Sequence, residues 1–252
     1  MSGILRTFAL GLATGLVLWP HPARASQFTV NPTRIELSGR VTSGVVTVRN
    51  DGQSPVRVQV KTHVWTQTLD GQMTLGPTED VIVFPTLLTL APGEERRLRI
   101  AVTAPPIDVE RTYRVFLEEL PPVKAAEVKD TGVQVLTRVG IPVFVQATSP
   151  AAKGGLSQVG LVKGALQFQI DNLGNTHFVP DSIRVRSLTA SGDTVSDQST
   201  EGWYILSRSS RRYEMTLPVA DCARLRSVVI DVRVGGASLK SRLETPTGAC
   251  AQ

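Results

Sequence analysis

The chain has 252 residues, with 27 lysines and arginines against 22 aspartates and glutamates, three histidines and two cysteines. Hydrophobic residues make up 41% of the sequence and charges of both signs are present, which excludes a wholly disordered chain. Two cysteines exclude a disulfide-dense miniprotein and a four-thiolate zinc site, and three histidines leave little room for histidine-based catalysis.

The N-terminus is predicted to be a cleaved secretory signal peptide, residues 1–25. Arg6 supplies its positive charge, and the apolar run Phe8–Trp19 is too short to span a bilayer. Ala23-Arg24-Ala25 has the small-x-small form of a cleavage site, and an uncleaved N-terminal anchor is the alternative. No later segment is apolar enough for membrane insertion, so we expect an exported chain. Cleavage removes two arginines and lowers the net charge from +5 to +3.

Short β-branched runs with period-two alternation follow one another along the mature chain. Val45–Val48 and Val56–Val60 come first, separated by the turn residues Asn50-Asp51-Gly52. Further runs lie at 81–84, 98–102, 113–120, 133–145, 166–170, 183–188, 213–217 and 228–234. Many short strands at regular spacing predict an all-β sandwich or barrel.

A change of composition at 146–157 divides these strands into two groups. The segment is small, polar and rich in glycine and proline, as expected for a linker. It leaves about 120 mature residues before it and about 95 after it, each suited to a seven-stranded immunoglobulin-like sandwich. We therefore predict an N-terminal domain at 26–147, a linker at 148–155 and a C-terminal domain at 156–252.

The two cysteines, Cys222 and Cys250, both lie in the second predicted domain. An oxidising compartment favours one disulfide between them, which would stabilise that domain alone. Two unpaired thiols are the alternative.

Enzymatic motifs are missing from the sequence. His63 alternates with apolar residues as a solvated or edge-strand residue does, and His177 follows a turn. There is no Gly-x-Ser-x-Gly elbow, His-Glu-x-x-His pair or phosphate-binding glycine loop. Glu118 and Glu119 are adjacent and so point to opposite faces of a strand. We therefore predict no catalytic residues, no metal and no cofactor.

Nucleic acid is also an unsuitable partner. The basic residues are spread over the strands, and aromatic residues, 5% of the chain, are too few for stacking platforms. The export signal argues in the same direction.

Two features suit a polypeptide-binding protein. The segment Gly132–Val145 is long for one sandwich edge, spanning more than ~40 Å, and its odd positions are almost all apolar. One end could pack in its own domain while the other end is offered to a partner. Three arginines, Arg34, Arg114 and Arg138, lie within otherwise apolar strands. Each needs an anionic partner if it faces a cleft, and the alternative is that each points to solvent.

These segments together resemble the periplasmic pilus-assembly chaperones of chaperone–usher systems. The Tyr-Arg-x-Phe-x-Glu-Glu run and the proline in the predicted seventh strand resemble the archaic branch of that family more than the conventional one. The matching pieces, in chain order, are 31–37, 46–52, 84–93, 113–121, 133–145 and 171–176.

The resemblance implies two immunoglobulin-like β-sandwich domains in an L-shaped arrangement, with a binding cleft between them. It implies a protein that binds, folds and caps pilus or fimbrial subunits in the periplasm by donor-strand complementation and delivers them to an outer-membrane usher. The donor residues would be Thr131, Val133, Val135 and Leu136. Leu136 has the opposite parity and would count only if a bulge intervenes.

The resemblance also implies that basic side chains in the cleft hold the subunit's C-terminal carboxylate. Arg34 matches the basic position in the family's first strand, here within 31–37. Arg114 is an additional basic residue in the predicted sixth strand, within 113–121. Arg138 is the best match in the seventh strand, although alignment on the following apolar run would place Gly140 or Pro142 there. A guanidinium pair on a carboxylate would fix strand register.

Two other functions stay open. A structural or adhesive immunoglobulin-like pilus or surface component would have the same fold class. Such a subunit usually begins with a donor extension, whereas residues 26–30 run almost directly into the first strand, which favours the chaperone. An exported hydrolase on a β scaffold is disfavoured by the missing catalytic residues.

Overall fold

A computed structural model of the chain describes residues 28–105, 107–121, 135–218, 222 and 224–245. The predicted signal peptide, the donor residues Thr131 and Val133, and Cys250 lie outside the described residues. Among the described residues, no helix has the length and apolar character needed to cross a membrane.

The strands of the first half are β1 (Phe28–Asn31), β2 (Ile35–Leu37), β3 (Ser43–Asn50), β4 (Val56–Gln67), β5 (Met73–Gly76), β6 (Val81–Phe84), β7 (Leu87–Leu90), β8 (Glu95–Val102), β9 (Arg111–Leu120) and β10 (Arg138–Val145). Those of the second half are β11 (Gly154–Val162), β12 (Ala165–Asn172), β13 (Ser182–Leu188), β14 (Thr194–Thr200), β15 (Ser210–Thr216), β16 (Ser227–Val234) and β17 (Ala237–Glu244).

The first half is a sandwich of two sheets. One sheet has the order β1-β3-β8-β6, and the other has the order β2-β10-β9-β4-β5 with β7 also paired to β4. Alternate residues of both sheets are apolar and fully buried between them, for example Val46 and Leu98 from the first and Val58, Val115 and Ile141 from the second. Burial of these side chains on one face of each sheet is the main stabilisation of this half.

The second half repeats the architecture with sheets β11-β12-β15 and β14-β13-β16-β17. Leu166, Ile170, Val185 and Ile230 lie in its separate core. The prediction of an all-β fold with two immunoglobulin-like sandwiches is confirmed. β11 begins at Gly154, inside the segment predicted as a linker.

Each half contains the same buried asparagine turn. The Asn50 Oδ1 accepts the Gly52 amide at 2.9 Å, while its Nδ2 donates to the carbonyls of Ser54 and Leu90. In the second half, Asn172 makes the same type of bond to the amide of Gly174 and to the carbonyls of Thr176 and Ile205. Both amides are almost inaccessible and fully hydrogen-bonded, so each ties a turn to its core.

β10 starts later than the sequence predicts. Its first residue is Arg138, whereas Val135–Thr137 are described without strand pairing. The carboxylate of Glu119 accepts the amide of Thr137 at 2.9 Å, and the amide of Glu119 donates to the carbonyl of Thr137 at the same distance. At the start of β10, the Glu119 carboxylate therefore accepts the Thr137 amide in place of a backbone carbonyl of a neighbouring strand.

Candidate interdomain cleft

The outer face of the β2-β10-β9-β4-β5 sheet forms one wall of the candidate site. Tyr113, Val115 and Leu117 of β9 point into the first core. Because successive side chains in a strand alternate, Arg114, Phe116 and Glu118 point to the opposite face. The same alternation brings Lys61, His63 and Trp65 of β4 and Gly140, Pro142 and Phe144 of β10 to that face.

Two of the predicted arginines lie in one row across this sheet. Arg114 is opposite Pro142 on one side and His63 on the other. Ile35 is paired with Val143, so Arg34 precedes β2 at the level of Pro142. At the usual strand spacing, Arg34 and Arg114 start about 10 Å apart, within reach of two long side chains.

The second half covers one end of this face. Trp65 and Phe144 form a small buried cluster with Leu206. The Phe144 ring stacks on the His177 ring with centroids 3.6 Å apart, and Gln67 Nε2 donates to the carbonyl of Tyr204 at 2.7 Å. The uncovered remainder of the face is therefore a cleft whose inner end lies beside Trp65 and Tyr204.

Glu110 is the main polar contact between the two halves. Its side chain is 1% exposed. One carboxylate oxygen accepts the backbone amide of His177 at 2.7 Å and lies 2.7 Å from Nδ1 of the same residue, and the other accepts the Thr176 hydroxyl at 3.1 Å. The Glu110 amide donates to the carbonyl of Asn175 at 2.9 Å. These bonds fix the turn after β12 against the start of β9.

Arg114 lies at the inner end of the cleft and is 5% exposed. Its guanidinium stacks 3.9 Å above the Trp65 ring, and its Nη1 donates a long bond to the carbonyl of Gly140 at 3.3 Å. Among the described residues, no acceptor lies within reach of its Nε or Nη2. Burial lowers the pKa of Arg114, because desolvation disfavours the charged form. The site thus holds a buried cation that lacks a described anionic partner.

Arg138 is engaged within the protein. Its Nε lies 2.9 Å from a carboxylate oxygen of Glu118, whose other oxygen lies 2.6 Å from Lys61 Nζ. The hydrogen bond from Lys61, with the charges of Lys61 and Arg138, lowers the pKa of Glu118 despite some desolvation. The Arg138 guanidinium also stacks 3.8 Å above the Phe116 ring.

The three predicted arginines therefore have different surroundings. Arg34 pairs with Glu36 at 3.0 Å, and its side chain is 51% exposed. Arg138 lies four residues from Pro142 along β10, which places its backbone about 13 Å from the row of Arg34 and Arg114. Arg34 and Arg114 thus share a level of the sheet, and Arg138 lies farther out in the cleft.

The outer edge of β10 is open over most of its length. β2 pairs only with Val143–Val145, and within the described ranges no strand pairs with the 138–142 segment on that side. Val135 and Leu136, just before it, are 60% and 42% exposed. Unpaired amide and carbonyl groups along this edge can accept another strand.

The remaining predictions concern the disulfide between the two cysteines and the expected absence of a metal site. Cys222 is buried, and the described part of the chain contains no free cysteine. Its pairing with Cys250 stays a prediction because Cys250 lies outside that part. The described residues contain no group of three histidine, cysteine or acidic side chains able to hold a metal ion.

Sequence reasoning missed three residues of the cleft. His63 is part-buried and pairs with Arg114 of β9, while the pairing of β4 with β5 begins only at Val64, so the predicted edge position agrees with the register, but its place in the cleft beside Arg114 was not predicted. Trp65 and Glu118 were assigned no role. The signal that could have found them is parity, since Lys61, His63 and Trp65 fall on the face opposite Val58 and Val60.

Comparison with known proteins finds a family model that matches the first half of the chain. Residues 27–150 match the model of the pili and flagellar-assembly chaperone, PapD N-terminal domain. The matched residues contain β1 to β10, and hence the cleft face and the open edge. No curated protein matches the chain.

Solved structures of pilus chaperones share the fold of most of the chain. A chain of the CsuC–CsuE chaperone–tip adhesion subunit complex from archaic Csu pili of Acinetobacter baumannii is 18% identical, with a TM-score of 0.56 over 86% of this chain and 98% of that one. The E. coli chaperone DraB is 21% identical, with a TM-score of 0.54 over 89% and 100%. A chain of the Salmonella enterica SafA pilin–SafB chaperone complex is 14% identical, with a TM-score of 0.55 over 88% and 98%.

Proposed function

We propose that the chain is a periplasmic chaperone that binds, folds and caps a pilus or fimbrial subunit and delivers it to an outer-membrane usher. The observation that supports this most is the open edge of β10 beside the buried, partly unpaired guanidinium of Arg114. The match of residues 27–150 to the pilus-chaperone family model supports the same function.

The open edge suits donor-strand complementation. An added strand would gain main-chain hydrogen bonds along β10, while alternate side chains of the donor would fill the subunit's open groove. Val135 and Leu136 expose apolar side chains just before β10, and Thr131 and Val133 precede them in the sequence. These four residues are the proposed donor segment.

Arg114 is the proposed centre of the carboxylate anchor. A buried cation is costly without an anion, and the end of a polypeptide offers a carboxylate that a guanidinium can bind with two bonds. Arg34 would join it from the same level of the sheet. Arg138 would join only by exchanging Glu118 for the ligand, since its guanidinium already contacts that carboxylate. A strand that ends at a fixed level has a fixed register.

The remaining assignments belong to the same proposal. Residues 1–25 would direct export to the periplasm and be removed, leaving domains at 26–147 and 156–252. Cys222 and Cys250 would form a disulfide in the second domain. The protein would act by binding alone, without catalysis, cofactor, nucleic acid or membrane insertion.

The test is co-expression of the tagged full chain with each exported protein encoded beside it, followed by purification from a periplasmic extract. We expect a stoichiometric complex with a β-rich subunit, and its loss in Arg114→Gln. Arg97→Gln is the matched control, because Arg97 is exposed on β8 in the other sheet. Circular dichroism checks that both variants fold.

Two results would contradict the proposal. One is equal recovery of the subunit with wild type and Arg114→Gln. The other is recovery of the chain itself as a building block of surface fibres, which would favour a structural or adhesive component.

A further inference from the structure

We infer that His63 is a second ligand for the carboxylate at Arg114, and that carboxylate binding there takes up a proton. The inference rests on the proposed function, since it concerns the same end of the cleft. It adds a residue and a pH dependence that the arginines alone would not give.

The strand register places His63 directly beside Arg114. The two residues are paired across β4 and β9, and cross-strand neighbours on one face have their Cβ atoms about 5 Å apart. The His63 ring also meets the edge of the Phe116 ring, with centroids 5.6 Å apart. His63 and Arg114 are therefore backbone neighbours on the cleft face, with the imidazole against Phe116 and the guanidinium over Trp65.

The buried nitrogens at this point are unusually short of partners. Among the described residues, none lies within hydrogen-bonding reach of Nδ1 of His63, Nε1 of Trp65, or Nε and Nη2 of Arg114. The tryptophan and arginine nitrogens can only donate. Buried donors are normally satisfied, so the unpartnered donors of Trp65 and Arg114 indicate a site for an acceptor, and the unpartnered Nδ1 of His63 lies on the adjacent residue of the sheet. A carboxylate supplies two acceptor oxygens and the charge that Arg114 lacks.

The charges around His63 favour proton uptake with the ligand. Arg114 faces it from β9, Lys61 lies two residues away on its own strand, and Glu118 on β9 is already bound by Lys61 and Arg138. Leu75 and Gly76 of β5 are uncharged. A carboxylate bound between the two side chains would favour the protonated imidazole.

His63 also lines a pocket beside β4 and β5. A pocket of about 520 Å³ is lined by Lys61, His63, Leu75, Gly76 and Pro77. Solvent in this pocket has access to His63.

The test uses acetate as the probe and the full mature chain labelled with ¹³C and ¹⁵N. We expect acetate, but not chloride at equal ionic strength, to shift the NMR signals of the His63 ring and the Arg114 Nε–H. Acetate should bind about tenfold more tightly at pH 6 than at pH 8, because the imidazole is protonated in the complex. His177, buried against Glu110, is the internal reference and should not respond to acetate.

The matched variant is His63→Gln, whose amide can donate a hydrogen bond but does not titrate. We expect it to keep acetate binding at pH 8 and to lose the tightening at pH 6. The inference is overturned if acetate moves Arg114 without His63, if neither moves, or if His63→Gln keeps the pH dependence. Subunit capture by the wild type is measured separately, so these outcomes leave the proposed function standing.

Discussion

At the scale of single residues, the first domain places two polar side chains of β9 in opposite environments. Arg114 reaches the cleft without a described anion, whereas the adjacent Tyr113 points into the core and donates to Oδ2 of Asp80 at 2.7 Å. The sequence predicts that neighbours in a strand point apart. It does not predict which face a second domain will cover, so the burial of Arg114 could not be read from the alternation.

Tyr113 should make the fold sensitive to alkali. Burial, with the hydrogen bond to Asp80, raises the pKa of Tyr113 to about 12. The unfolded chain ionises near the ordinary value of 10.0, so this stabilisation is complete below pH 10 and is lost as the pH rises through about 12. We expect Tyr113→Phe to cost about 1 kcal/mol at pH 8 and to lose less stability than wild type between pH 10 and 12. Urea unfolding of both proteins at pH 8 and between pH 10 and 12 measures the free energy of unfolding, and tyrosinate absorbance follows the ionisation. An equal alkaline loss in the variant would refute the assignment.

At the scale of strands, β10 depends on a glycine in its exposed half. A Cβ at Gly140 would lie 2.8 Å from Cε1 of Phe116, the ring on which Arg138 stacks. The absence of a side chain there allows the ring to lie across β10 and support the arginine.

Gly140→Ala should therefore destabilise the first domain. We expect a loss of about 1 to 3 kcal/mol, because the phenyl ring must move from its packed position. The matched control is Gly160→Ala in β11, where an added Cβ meets nothing within 4 Å. Urea unfolding compares the two variants, and equal effects would show that the Phe116 contact is unimportant.

The strand pattern also shows where sequence reasoning succeeds. β3 and β4 follow the predicted alternation, because one face of each is apolar and the turn at Asn50-Asp51-Gly52 separates them. β9 is buried on both faces from Thr112 to Leu117. The alternation there predicts which face each side chain is on, but it does not predict that both faces are buried. β14 and β17 escaped prediction because their residues are mostly polar and part-exposed. Their place in the sheet comes from pairing with β13 and β16.

At the scale of the whole molecule, Glu110 joins the two sandwiches through buried hydrogen bonds. Its carboxylate satisfies the His177 amide and the Thr176 hydroxyl, which have no other described acceptor at this buried junction. The sequence contains no sign of this contact, since Glu110 and His177 lie in different domains and neither belongs to a motif. Contacts between domains depend on shape, which a pattern along one strand does not encode.

Glu110→Ala should weaken the coupling between the two domains. We expect a loss of about 2 to 3 kcal/mol, because several buried donors lose their acceptor, and unfolding in two separate transitions. Asp70→Asn is the control at the same interface, since its 3.5 Å pair with Arg212 is exposed and should contribute little. Calorimetry distinguishes the outcomes, and a single unchanged transition in Glu110→Ala would contradict the role of this residue.

The open edge of β10 also has a consequence for the free protein's solubility. A row of unpaired backbone groups is a template on which unrelated chains can aggregate. Two residues limit that hazard here: Arg138 places a charge at the start of the edge, and Pro142 lacks the N–H that a continuous ladder would use. A ladder growing along β10 is therefore interrupted at the level of Arg114. Pro142 therefore disfavours aggregation through this edge at the level where the C-terminal strand of the proposed subunit would end.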